Sequence, residues 1–318
     1  MDRRDFIKAG LPLGMLPLMI NGMPLQLFAS PSPLIVDPCA VTDRTMVFIF
    51  LNGGNDIVNT TVPLNHLSAY ATHRPYIQLP QSSLITLDNT APSTKQLGLH
   101  PELAGFKTMF DDGLMSIIQG VGYEEPNRSH FTSLQNILTG SGGLLVNENS
   151  GWLARFFQHR YPGYSGNPFV GEPDPLGIIF GDMNNRGFHN FEQHKWEINL
   201  SGQDPAGFYS LVSAMSGEPI ANIPNTENGE MLNHIADIEN SVNIYAQRIS
   251  QTFNAGNNAS VYPETSLGNQ LKSIARMLNG GSRTKIFMAS KGGFDNHSYM
   301  VSSGNPTAGA HANLLSDL

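Results

Sequence analysis

A chain of 318 residues with a net charge of -8 and only 14% charged residues carries no basic run after residue 8. Nucleic acid is therefore excluded as an expected partner, since phosphate contacts require clustered Lys and Arg. With 40% hydrophobic residues the chain can bury a large core, at the upper end of what one α/β domain holds. Its single cysteine, Cys39, excludes an intramolecular disulfide, and nothing around it resembles an activating partner for a thiol.

The chain opens Met-Asp-Arg-Arg-Asp-Phe-Ile-Lys and continues with an uncharged apolar stretch over residues 9–29. Twin arginines ahead of an apolar segment are the layout of a twin-arginine export signal, residues 1–30, with small residues for cleavage after Ala29 or Ser30. The stretch is long enough to span a bilayer. However, Pro12, Pro17 and Pro24 with Gly10, Gly14 and Gly22 make it a poor helix, so a cleaved or loosely held signal is expected rather than a stable membrane anchor. Removing it takes away Arg3, Arg4 and Lys8 against Asp2 and Asp5, leaving the mature chain one unit more acidic. Residues 31–44 are polar and proline-bearing and read as a linker.

From residue 45 strand and helix patterns alternate. Residues 45–51 are a continuous apolar run, which predicts a strand buried on both faces. Residues 101–110 predict a helix with Leu103, Phe106 and Phe110 on one face, Pro101 in its first turn and Gly113 just past its end. A second strand is predicted at 114–121, a short helix at 131–138, and a third strand at 176–180, followed by a long polar loop to Trp196. Met231, Ile235, Ile238, Val242, Tyr245, Ile249 and Phe253 repeat at three-and-four spacing, predicting a long helix over about 229–253 with a stripe for core or subunit contact. A further helix over about 266–278 closes at Gly280, and residues 285–289 predict a fourth buried strand. The alternation implies an α/β fold, doubly wound, with a mostly parallel sheet and helices on both faces. Residues 311–318 read as the start of an amphipathic helix with no closing strand, so a C-terminally incomplete domain is expected over 45–318.

In such sheets functional groups collect at the carboxyl ends of strands, and three ends here carry unusual residues. Asn52-Gly-Gly-Asn-Asp56 follows the first strand: two glycines free the backbone, and Asp56 offers a hard oxygen ligand or, more plainly, caps the next segment. Pro126-Asn-Arg-Ser-His-Phe131 opens the helix at 131–138. A hydroxyl there faces free N–H groups, so Ser129 suits a nucleophile that develops charge and Arg128 suits phosphate or sulfate oxygens; an N-cap is the simpler alternative. Lys291-Gly-Gly-Phe-Asp-Asn-His297 follows the fourth strand. In extended chain Asp295 and His297 point the same way, a carboxylate and imidazole that suit zinc, or else form a surface turn. An acid, a helix-start hydroxyl and an Asp/His pair from different strand ends are what metal-assisted phosphoryl or sulfuryl transfer requires.

Taken in order, the export motif, Phe-Leu-Asn-Gly-Gly-Asn-Asp, Gly-Leu-His-Pro-Glu-Leu, Arg-Ser-His-Phe and Gly-Gly-Phe-Asp-Asn-His make the chain resemble, from residue 1 to residue 318, the bacterial exported family known as domain of unknown function 1501. That family is grouped with the alkaline phosphatase and sulfatase superfamily. The resemblance implies a doubly wound, alkaline-phosphatase-like fold and usually a two-metal site. By it, Asp56 matches the ligand after the first strand, Ser129 the nucleophile position, and Asp295 and His297 a later ligand pair whose spacing is shorter here than in phosphatases. The Phe-Gly-Arg and Asp-His-Gly motifs usual further along are not in this sequence, so at most one metal site is expected to be fairly complete.

The expected function is thus an exported, periplasmic or extracellular, metal-dependent hydrolase of phosphate or sulfate esters. Ser129 and Arg128 are its catalytic pair, and Asp56, Asp295 and His297 hold a divalent metal such as zinc. The expected partners are the twin-arginine export machinery and a small anionic ester. The alternative is a non-catalytic exported binding or assembly protein on the same fold. His100 reads as a helix-start residue, His311 as a solvated helix histidine or else one near the third motif that could approach a metal, His189 and His194 as possible lining of a substrate mouth, and Trp152 and Trp196 as packing.

Overall fold

The computed structural model describes residues 44–124, 126, 128–141, 150–162, 164, 166, 168, 171–181, 185–190, 196–216 and 223–318, with the backbone of 19–20 and 23–24. It divides into two compact units, Met1–Arg44 and Thr45–Leu318. In the first, β1 (Met19–Ile20) pairs antiparallel with β2 (Met23–Pro24); the rest of the expected signal and linker, and Cys39, lie outside the described residues.

The second unit runs β3 (Met46–Leu51), α1 (Ile57–Thr60), β4 (Thr61–Pro63), α2 (Leu67–His73), β5 (Ile85–Thr86), β6 (Leu97–Leu99), α3 (Ala104–Asp111), α4 (His130–Thr139), α5 (Trp152–Arg160), β7 (Gly177–Ile179), β8 (Glu197–Asn199), α6 (Phe208–Met215), α7 (Glu227–Ala255), α8 (Ser266–Asn279), β9 (Ile286–Lys291) and α9 (Ala310–Ser316). Four strands form a parallel sheet in the order β3-β9-β7-β8. Consecutive side chains of β7 and β9 leave on opposite faces, as the strand pleat requires. Ile178, Phe287 and Ala289 pack with Phe208, Tyr245, Ile249, Leu267 and Ile274 of α6, α7 and α8. On the other side Ile179, Ile286 and Met288 pack with Leu138, Leu153 and Phe157 of α4 and α5 and with Trp196. The protein is therefore α/β with helices on both faces of a parallel sheet, as the alternation predicts. The side chain of Gln270 on α8 ties to the end of β9, accepting from Ser290 N at 2.9 Å and donating to Ser290 O at 2.8 Å.

Three expectations need correction. β3 is an edge strand, and Met46, Val47 and Ile49 are exposed among the described residues, so its apolar run is not buried on both faces. Residues 114–121 form no strand; Leu114, Ile118 and Val121 are 74%, 81% and 78% exposed, and only Ile117 joins a core cluster, beside Leu51, Phe106 and Phe110. An apolar run specifies a strand only when a neighbour supplies its hydrogen bonds. The long stripe of α7 divides: Val242, Tyr245, Ile249 and Phe253 pack in the core, while Met231 and Ile235 are exposed. A small antiparallel sheet, β4-β6-β5, had no sequence expectation. Its three short strands sit beside a cluster of Val62, Tyr70 and Leu79. Among the described residues no helix is long and apolar enough to cross a membrane.

Candidate functional site

The pairing of β3 with β9 decides where the strand exits meet. Leu51 lies opposite Lys291, and the pairing continues beyond the strands: Asn52 N donates to Lys291 O at 2.8 Å and Phe294 N donates to Asn52 O at 3.1 Å. The two exit loops, far apart in the chain, thus leave side by side at the carboxyl edge of the sheet, where α/β proteins place their sites.

The two glycines of the first loop have distinct neighbours. Gly53 lies at φ +105°, and a Cβ there would stand 2.5 Å from Asp295 N. Gly54 lies at φ +81°, and a Cβ there would stand 2.7 Å from Cε1 of His130. The loop is wedged between the Asp295 backbone on one side and the His130 ring on the other. The cleft that results, about 450 Å³, is lined by Asp56, Arg74, His130, Asp295, His297 and His311 among others.

Each charged group in it has a specific engagement. Asp56 is the N-cap of α1: its Oδ1 accepts from Val58 N at 3.1 Å and Asn59 N at 3.2 Å, while its Oδ2 accepts from Nη1 of Arg74. The capping alternative for Asp56 is therefore what the side chain does. Arg74 also donates to Asn59 Oδ1 at 3.3 Å, and Asn59 is held by Tyr70 OH at 2.9 Å and by its own bond to Ile77 O at 2.8 Å. Asp295 and His297 do face one another, with His297 Nε2 2.6 Å from Asp295 Oδ1. His130 Nε2 approaches the same oxygen at 3.4 Å. Among the described residues no group of three or more His, Cys, Asp or Glu is set around a common point to hold a metal ion.

Ser129 and Arg128 precede His130 by one and two residues, but neither is among the residues that line the cleft. Ser129 caps α4, its Oγ accepting from Thr132 N at 3.3 Å, which is the simpler alternative for this residue. Arg128 is exposed and holds φ 60°, an uncommon left-handed conformation for a residue with a side chain.

The floor is imidazole. His311 is 2% exposed, not a solvated helix residue: α9 turns the face of His311 and Leu315 inward. Its Nε2 lies 2.9 Å from Asn55 Oδ1, and because an amide oxygen only accepts, Nε2 carries the proton. Burial, outweighing the pull of Asp56, holds His311 below the usual histidine range, with Arg74 adding to the lowering. Its ring meets His100 edge-on at 5.8 Å. His100 starts a 3-10 turn at Pro101–Leu103 as expected, Nδ1 accepting from Glu102 N at 3.2 Å. Burial, then the neighbouring His311, pushes it down to about 4. Trp196 is core, and Trp152 and Phe48 meet in a T-shaped contact. His189 lies 3.9 Å from Glu197, away from this cleft, and His194 is outside the described residues.

Sequence reasoning missed Arg74 and His130, and it weighed His311 as near a metal but preferred a solvated helix position, which its burial overturns. The spacing of His311 and Leu315 marks one helix face and was the available signal for His311. His130 sits inside Arg-Ser-His-Phe, where attention falls on the serine. For Arg74 nothing local points to the cleft. Compared with protein-family models, curated proteins and solved structures, the chain matches none.

Proposed function

We propose that the chain is an exported, metal-dependent hydrolase of phosphate or sulfate esters, alkaline-phosphatase-like in fold, belonging with the family it resembles. The observation that carries this reading is the meeting of three chemically distinct segments at one sheet edge: the Asn52–Asp56 loop, the start of α4, and Asp295–His297. In donor chemistry Asp295 and His297 fit a borderline divalent cation such as zinc. Asp56, the other expected ligand, joins them only by leaving Arg74. When bound, the cation would lower the pKa of a nearby hydroxyl and offset the charge of the ester. Ser129 Oγ, giving up its proton to solvent, would attack the phosphorus or sulfur and displace the ester's alcohol. Water would then hydrolyse the seryl ester to release phosphate or sulfate. The place of Ser129 at the N-terminus of α4 sets free N–H groups and the positive end of the helix dipole against the charge that develops. Arg128 orients the non-bridging oxygens.

The test is turnover of aryl phosphate and aryl sulfate esters by the purified protein supplied with zinc, with Ser129→Ala as control. Wild-type turnover that the variant lacks supports the reading, and equal turnover refutes the nucleophile. Two observations favour the second reading, a non-catalytic binding or assembly protein. Asp56 is already neutralised by Arg74, and the Ser129 oxygen already serves as a cap.

A further inference from the structure

We propose that His130, and not Asp56, is the third protein donor of a divalent-cation site with Asp295 and His297. The proposal rests on the metal-dependent part of the reading above and deepens it. The choice follows from what each side chain would give up. Asp56 has no free oxygen: Oδ1 holds two N–H groups at the start of α1, and Oδ2 holds the guanidinium of Arg74. Turning it toward a cation would uncap the helix and strand a partly buried arginine, and both changes are unfavourable. His130 gives up only a weak contact, 3.4 Å from Asp295 Oδ1.

Two imidazole nitrogens from segments distant in the chain, His130 Nε2 and His297 Nε2, already face one carboxylate oxygen at 3.4 and 2.6 Å. In their present rotamers the three groups do not surround a common point. His130, Asp295 and His297 are 51%, 49% and 82% exposed at the side chain, so rotation to metal–ligand distances of roughly 2.0–2.2 Å meets little packing. A second observation concerns the space the ring occupies. Gly54 is the residue against which it rests, and any Cβ there would come within 2.7 Å of Cε1. The glycine of the first strand exit thus makes room for a histidine delivered by α4. Two nitrogens and one oxygen are a donor set of the kind that holds catalytic zinc, with a fourth position left open to the cleft for a water or an ester oxygen.

Zn(II) titration by calorimetry, with Co(II) absorption as a second readout, tests this on the full chain as wild type, His130→Gln, Asp295→Asn and Asp56→Asn. Each variant is checked for folding by circular dichroism. Asn is as good an N-cap as Asp, so Asp56→Asn keeps α1. The expected result is one Zn(II) per wild-type chain. Affinity should fall by at least the roughly 10–100-fold that losing even an outer partner of a ligand costs in His130→Gln and Asp295→Asn, and should hold in Asp56→Asn. Wild-type affinity in His130→Gln, or loss in Asp56→Asn alone, overturns the proposal and leaves the metal-dependent reading standing. A wild-type chain that takes up neither metal overturns both.

Discussion

The paired glycines at the exit of β3 allow a sharp comparison, because both lie in the left-handed region but against different obstacles. Any residue with a Cβ placed there incurs backbone strain of about 1–2 kcal/mol. At Gly54, φ +81°, the new methyl meets the far end of His130, 2.7 Å away, and a half-exposed ring can swing aside. Gly54→Ala should therefore cost about 1–2 kcal/mol and displace His130. At Gly53, φ +105°, the methyl meets backbone: Asp295 N at 2.5 Å and Phe294 C at 3.1 Å. That segment is pinned by the bond from Phe294 N to Asn52 O at 3.1 Å and by the buried Phe294 ring. Gly53→Ala adds the loss of that bond, about 1 kcal/mol, and a dislodged Phe294, for about 3–4 kcal/mol in all, within the range of severe single substitutions. Denaturant unfolding of the two variants and wild type measures both. Equal losses, or a larger loss at Gly54, would refute the wedge as the reason for these glycines.

Three other outcomes follow from the same structure. His100 takes its proton only near pH 4 when folded against an ordinary value of 6.5, so between those values the unfolded chain holds more protons. Its contribution is complete above pH 6.5 and is lost as pH falls to 4, by about 3 kcal/mol at most; His311 adds in the same direction, and stability curves of wild type and His100→Gln should differ in slope over that window. Asp174, 2% exposed, accepts from Arg248 Nε at 2.7 Å and Arg283 N at 2.8 Å, so Asp174→Asn should lower unfolding stability by about 2–3 kcal/mol with little dependence on salt. Arg74→Met leaves Asp56 its two N–H donors without a counter-charge and should cost about 1–2 kcal/mol by denaturant titration.

The elements whose own residues satisfy their hydrogen bonds were legible in the chain. The stripes of α7 and α8 and the closing Gly280 were local facts, and so were the short apolar cores of β7 and β9. The segments that meet at the cleft were legible too, because glycine pairs, a helix-start serine and an Asp/His pair are unusual compositions at strand ends. Capping by Asp56 and Ser129 was one of the readings the sequence left open, but the sequence did not decide between it and the alternatives. Strand character at 45–51 could be read, but only the sheet order β3-β9-β7-β8 made it an edge and set its exit beside that of β9. The same apolar character at 114–121 produced no strand, since pairing needs a partner that a linear pattern cannot name. Asp56 bonds Arg74, His130 rests on Gly54, and His311 lies beneath Asn55 through contacts between residues that sequence spacing keeps apart. The sequence alone determined which residues are available for chemistry, because composition and periodicity are local. The tertiary structure decided which of them are already committed to one another, because hydrogen bonds and charge pairing are set by distances of a few ångströms that only the packed chain defines.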